Sequence, residues 1–189
     1  MVSFNHPSPP TGKSLYVLSV IEYTDPGTFC FISTGGCTVN KMTKAEIAAF
    51  IKSRAWGTLI GVEGDKPYAV EVSYGTDGTH LYCGTMPGGR MARCLHANPN
   101  VVFKLCTSDR SAESFTAVII EGKAERLAAY EDILHSLRNV ARHSGLDEHA
   151  LDPIAKRHCQ NPGSNFIRIP LRVVDGIVRA GGTFTARPE

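Results

Sequence analysis

The 189-residue chain carries 20 basic and 18 acidic side chains, a formal net charge of +2, and 42% hydrophobic residues. This balance fits one soluble domain with a sizeable core, and the lack of any basic run or aromatic-interleaved stripe argues against nucleic acid as a partner. No apolar run approaches the ~20 residues of a membrane helix, and the patch at 15–21 lacks a cleavage pattern, so a cytoplasmic protein without membrane association is expected.

The first 40 residues differ from the rest. Pro7, Pro9 and Pro10 break the start, and no amphipathic period persists before Met42. Residues 1–40 are therefore read as an N-terminal extension, with a natural start at Met42 as the other reading. A domain covering 41–182 and a tail at 183–189 complete the division.

Thr43 and Glu46 form a capping box, and Ile47, Phe50 and Ile51 then recur on one face, which predicts a helix ending near Arg54. Alternation from Trp56 to Val62 and from Tyr68 to Tyr74, with a turn at 63–67, predicts a hairpin. A third strand over 79–84 extends it into an antiparallel meander. Residues 101–107 and 115–127 read as further strands, the second with a bulge at Gly122. A helix over 130–143 stops at Gly145, a second helical piece spans 147–159, and residues 166–179 return to strand with Pro170 as an edge or a break. The expected fold is mainly β within the α+β class: an antiparallel, six-stranded split barrel with flanking helices.

The six cysteines are scattered without a C-x-x-C pair, and no histidine pair shows H-x-x-x-H spacing. Reduced thiols and no metal site are expected. The stretch 82–99 carries more chemistry. A strand ends near Gly84, Pro87-Gly88-Gly89 makes a turn, and a helix begins at about Arg90. Glycine lets a ligand approach the backbone, and a helix start offers free N–H groups and a positive dipole end. With the Thr85 hydroxyl and the cationic fork of Arg90, this suits a phosphate monoester. The plain alternative is a tight turn with a solvated arginine.

The wording of residues 42–50, 67–74, 82–101 and 114–125 resembles the pyridoxamine 5′-phosphate oxidase-like split-barrel flavoproteins, nearest to the nitroimidazole-resistance branch. Gly89, Arg90, Leu95, Asn98 and Pro99 fall in register with the family's G-R-K-x-x-x-L-x-x-N-P. The resemblance implies a homodimer holding one FMN per protomer at the subunit interface. By position it places Val70, Glu71, Val72, Ser73 and Tyr74 beside the flavin ring, and Thr85, Gly89, Arg90 and Met91 at its phosphate. Two departures stand out: Met91 replaces the family's basic residue after Arg90, which leaves the phosphate to Arg90 and backbone N–H groups with Arg93 or Lys104 nearby, and Gly84 replaces a histidine common in the resistance proteins. Tyr74 and Tyr82 also read as barrel filling, Glu71 as a solvent-facing strand residue, and Arg90 as the partner of a carboxylate on a second subunit.

The implied function is an FMN-dependent oxidoreductase reducing a small organic substrate, such as a nitroaromatic, with electrons from a separate donor. The alternative is a non-catalytic flavin- or haem-binding barrel, for which His80 or His96 would be offered as axial ligand. No counterpart of the C-terminal substrate-binding arginine motif of true pyridoxamine 5′-phosphate oxidases is visible. The catalytic residues are left unassigned.

Overall fold

The computed structural model describes residues 38–108, 114–159, 161 and 165–180. The extension before residue 38 and the tail from 183 onward lie outside the described residues. Among those described, the order is β1 (Thr38–Lys41), α1 (Lys44–Ser53), β2 (Trp56–Glu63), β3 (Lys66–Thr76), β4 (His80–Thr85), α2 (Arg90–Ala97) and β5 (Asn100–Ser108). It continues with β6 (Phe115–Lys123), β7 (Glu125–Arg126), α3 (Tyr130–His143), α4 (Asp152–Cys159), β8 (Asn165–Pro170) and β9 (Val173–Ala180).

Local chemistry sets the helix ends. The Thr43 hydroxyl accepts from the Glu46 N–H at 3.3 Å, and Glu46 Oε2 accepts from the Thr43 N–H at 2.7 Å, closing the capping box that starts α1. At the end of α3 the Leu146 N–H donates to the Ala141 carbonyl at 2.9 Å and the Gly145 N–H to the Arg142 carbonyl at 3.2 Å. Gly145 takes φ 72° there, so the helix stops in a Schellman motif.

The strands form one antiparallel sheet in the order β1-β9-β6-β5-β2-β3-β4-β8-β7, curled into a half-barrel flanked by the four helices. Nine strands stand where six were expected: β1 forms at the end of the stretch read as an extension, and two stretches read as single strands change partners midway. Residues 115–127 pair with β5 as far as Lys123; the Ala124 N–H then donates to the Pro99 carbonyl, and Glu125–Arg126 pair with β8 instead. Residues 166–179 break after Pro170: β8 belongs to β4, whereas β9 belongs to β6 and β1. These crossings bring the two ends of the strand order around a common core.

Gly122 is not a bulge. β5 and β6 keep one uninterrupted register from Asn100↔Lys123 to Ser108↔Phe115. A Cβ at Gly122 would stand 3.1 Å from Ile169 Cγ2, so the missing side chain lets β8 close against β6. Inward residues of β2, β3, β4, β5, β6 and β8 make the main core, including Leu59, Val72, Leu81, Phe103, Ile120 and Ile169. A second cluster packs α3 and α4 over Tyr82 and Leu127.

Candidate functional site

The half-barrel is split along β3. Residues 66–73 of β3 pair with β2, and residues 74–76 pair with β4. Among the described residues no strand pairs the edge of the 66–73 segment that faces away from β2. An unpaired strand edge offers backbone donors and acceptors to a planar ligand. β4 leads through the Met86–Gly89 turn into α2. Gly88 takes φ 70° in this turn, the Gly89 N–H donates to the Met86 carbonyl at 3.0 Å, and Gly89 is the N-cap of α2. No side chain caps that helix start, so its first N–H groups remain available to an anion.

Arg90, the first residue of α2, lies at this junction. Its Nε donates to Glu63 Oε2 at 3.1 Å, and its guanidinium sits over the Tyr68 ring, 4.6 Å from the centroid. Arg93, one turn along, donates its Nε to Glu63 Oε1 at 2.8 Å. The Arg93 hydrogen bond holds the Glu63 carboxyl below its ordinary range, reinforced by Arg90 against the opposing effect of desolvation. The carboxylate expected for Arg90 on a partner subunit is instead Glu63 of the same chain. The sequence pattern marks Glu63 only as a turn residue and Tyr68 only as part of a strand. The spacing of Arg90 and Arg93 on one helix face was the available signal, but their common partner lies 27 residues from Arg90 in sequence and became visible only on folding.

The other anticipated residues divide between interior and surface. Val72 and Tyr74 are core residues; Val70 is half-buried beside them. The Tyr74 hydroxyl donates to the Ile51 carbonyl at 2.6 Å, and its ring meets Phe103 edge-on with centroids 5.2 Å apart. Glu71 is exposed and accepts a short hydrogen bond from the Thr58 hydroxyl directly across the β2–β3 ladder. Ser73 is half-buried opposite Trp56.

Thr85 Oγ1 is buried with no hydrogen-bond partner among the described residues, an arrangement that asks for a ligand or water. The Met91 side chain, 4% exposed, belongs to the core and packs toward Gly61. Only the backbone of residue 91 can therefore face a ligand from this helix start. Where the resistance proteins carry a histidine, a Cβ on Gly84 would stand 2.8 Å from Phe166 Cε1. The Phe166 ring occupies that space and is itself stacked edge-on against His158 with centroids 4.9 Å apart.

A separate groove of about 250 Å³ runs past the C-terminal half of α2, with Leu95, His96, Pro99 and Ile167 in its wall; it includes none of the residues expected at the flavin, and of the two histidines offered as haem ligands it holds His96. Among the described residues no group of three His, Cys, Asp or Glu side chains is placed to hold a metal ion. Cys83, Cys94, Cys106 and Cys159 are free thiols. None of the described helices is long and apolar enough to cross a membrane.

A split half-barrel with a helix start beside an open strand edge is the architecture of a known family. Residues 43–178 match the pyridoxamine 5′-phosphate oxidase family, and the chain belongs to it. An uncharacterized protein of Rhizobium meliloti is 26% identical over 97 residues, covering 51% of this chain and 63% of that protein, so the match spans less than two thirds of the relative's length. The fold is shared with a crystal structure of an FAD-binding protein from Mesorhizobium loti (22% identity, TM-score 0.56, 77% of this chain and 99% of the other). It is shared also with a candidate 5-nitroimidazole antibiotic resistance protein from Bacteroides thetaiotaomicron (20% identity, TM-score 0.63, 76% and 89%).

Proposed function

We propose that this protein binds FMN in the split of the half-barrel and serves as an oxidoreductase toward a small organic substrate. The carrying observation is the junction of three features: the unpaired edge of β3, the uncapped start of α2 with Arg90 beside it, and the buried, partnerless hydroxyl of Thr85. Backbone groups of 70–73 would meet the polar edge of the ring. Thr85, Gly89, Arg90 and the backbone of Met91 would meet the phosphate. Family membership and the FAD-binding neighbour support a flavin nucleotide.

Bound flavin would supply hydride transfer, and the chain's own part is to bind and orient it and to limit water. Among the described residues no side chain at the junction is set up as a dedicated acid, and position 84 is glycine, so substrate protons would come from solvent. The site is completed by a second copy. The outward face of β2, β3, β5 and β6 carries Ile60, Val102 and Ile119 half-buried and Trp56 63% exposed, interleaved with the exposed charges Glu71, Lys104 and Glu121, a mixed surface on which a second copy would seat to cover the flavin.

The test is the visible spectrum of freshly purified protein with mass spectrometry of the released ligand, followed by titration of Arg90→Ala. Flavin bands and an FMN mass are expected. Arg90→Ala should lose about ten- to hundredfold in FMN affinity, the worth of a charge-assisted contact, while riboflavin affinity stays unchanged. A colourless protein that takes up no flavin would end this reading.

A further inference from the structure

Arg90 and Arg93 stand three residues apart on α2 and so share a face of the helix. A single carboxylate bridges them: Glu63 Oε2 accepts from Arg90 Nε at 3.1 Å and Glu63 Oε1 from Arg93 Nε at 2.8 Å. The remaining Nη donors of both guanidinium groups have no hydrogen-bond partner among the described residues. The pair therefore already holds one two-oxygen anion and has donors to spare. We propose that Glu63 is an internal stand-in for the ligand phosphate, which displaces the carboxylate and binds Arg90 and Arg93 together. This rests on the flavin-nucleotide reading and assigns to Arg93 the second cation that Met91, buried in the core, does not provide.

The exchange is mechanically cheap and electrostatically favourable. Glu63 ends β2 at a hairpin whose next residue, Gly64, takes φ 65°. Its side chain is 35% exposed and can swing into solvent without disturbing the core. One carboxylate between two arginines leaves one positive charge uncompensated, whereas a phosphate monoester brings nearly two negative charges and three acceptor oxygens. The Arg93 hydrogen bond keeps Glu63 ionised below the usual carboxylate range, so mild acid does not remove the competitor. The carboxylate thus keeps the pair ordered when empty, and an anion that takes its place must gain more from the two arginines than Glu63 does, a threshold that a dianion clears and a singly charged anion does not.

The experiment is fluorescence titration of wild type, Glu63→Gln, Arg93→Gln and Arg90→Ala with FMN and with riboflavin, at low and high salt. Glu63→Gln is expected to tighten FMN about two- to fivefold and Arg93→Gln to weaken it about three- to tenfold, the range of partly exposed charge contacts. Riboflavin should bind all variants equally, which also reports that the barrel is intact. The preference of wild type for FMN should shrink as salt rises. If wild type binds neither flavin, or both equally, the phosphate reading fails and this inference with it. If wild type prefers FMN through Arg90 but Arg93→Gln leaves that preference intact, or Glu63→Gln weakens it, the flavin reading stands and this inference is overturned.

Discussion

Tyr74 and His143 lie with ring centroids 4.6 Å apart, and each reaches a carbonyl near the C-terminal end of α1. The Tyr74 hydroxyl donates to Ile51 O and the His143 Nε2–H to Arg54 O, both at 2.6 Å. The last carbonyls of a helix have no partner within it, so these two side chains serve as a remote cap. They tie α1 to β3 and α3, and burial pushes the Tyr74 phenol well above its ordinary range. Tyr74→Phe should cost about 1–2 kcal/mol, because it leaves the Ile51 carbonyl buried and unpaired. Urea unfolding would show a lower midpoint with an unchanged slope. Flavin affinity should not move, since the hydroxyl points to α1.

Met91→Lys would add the charge that family relatives carry after the arginine, but into a position that is 4% exposed. Burying an ammonium group without a partner should destabilise the protein by more than about 2 kcal/mol. A lower melting temperature without tighter FMN binding is expected. Undiminished stability with tighter binding would mean that the side chain reaches the surface at the start of α2.

Asp152 accepts from Arg138 Nε at 3.1 Å and from Arg138 Nη2 at 2.8 Å, and also lies 3.0 Å from His149 Nδ1. The Arg138 hydrogen bond, then that of His149, holds its carboxyl down at about 2, against an ordinary 3.8. A folded-state value below the unfolded one adds stability that is complete above the unfolded pKa and lost as pH falls through the folded one. Asp152→Asn should therefore be less stable than wild type at neutral pH. The gap should close as pH is lowered from 3.8 to about 2, measured by thermal melts across that window.

Trp56 exposes 63% of its surface at the start of β2, on the face assigned to a second copy. Trp56→Glu places a charge on that face, where desolvation on dimerisation is costly. Sedimentation at micromolar concentration should give a dimer for wild type and a monomer for the variant, with the same far-ultraviolet circular dichroism. A monomeric wild type carrying bound flavin would remove the dimer from the proposal.

Local signals were legible where the physics is local. The Thr43–Glu46 capping box, the Gly145 stop and the β2–β3 hairpin are each written within a few residues, and each stands where its residues put it. Partner exchanges were not. Alternation from Phe115 to Leu127 shows which side chains face inward, but it does not show that the chain leaves β5 for β8 at Ala124, because both neighbours reward the same pattern.

The candidate site divides along the same line. The helix start at Arg90, the glycine turn before it and the strand beside it follow from residue types at short spacing, and so does membership of the family. That Met91 is core, that Phe166 fills the space next to Gly84, and that Glu63 bridges Arg90 and Arg93 depend on contacts across 27 to 82 residues of chain. By itself the sequence determined a β-rich domain with an anion-suited helix start. Only the tertiary structure decided which side chains face that start, because a strand or helix pattern specifies a face, while the occupant of that face is set by whatever folding brings against it.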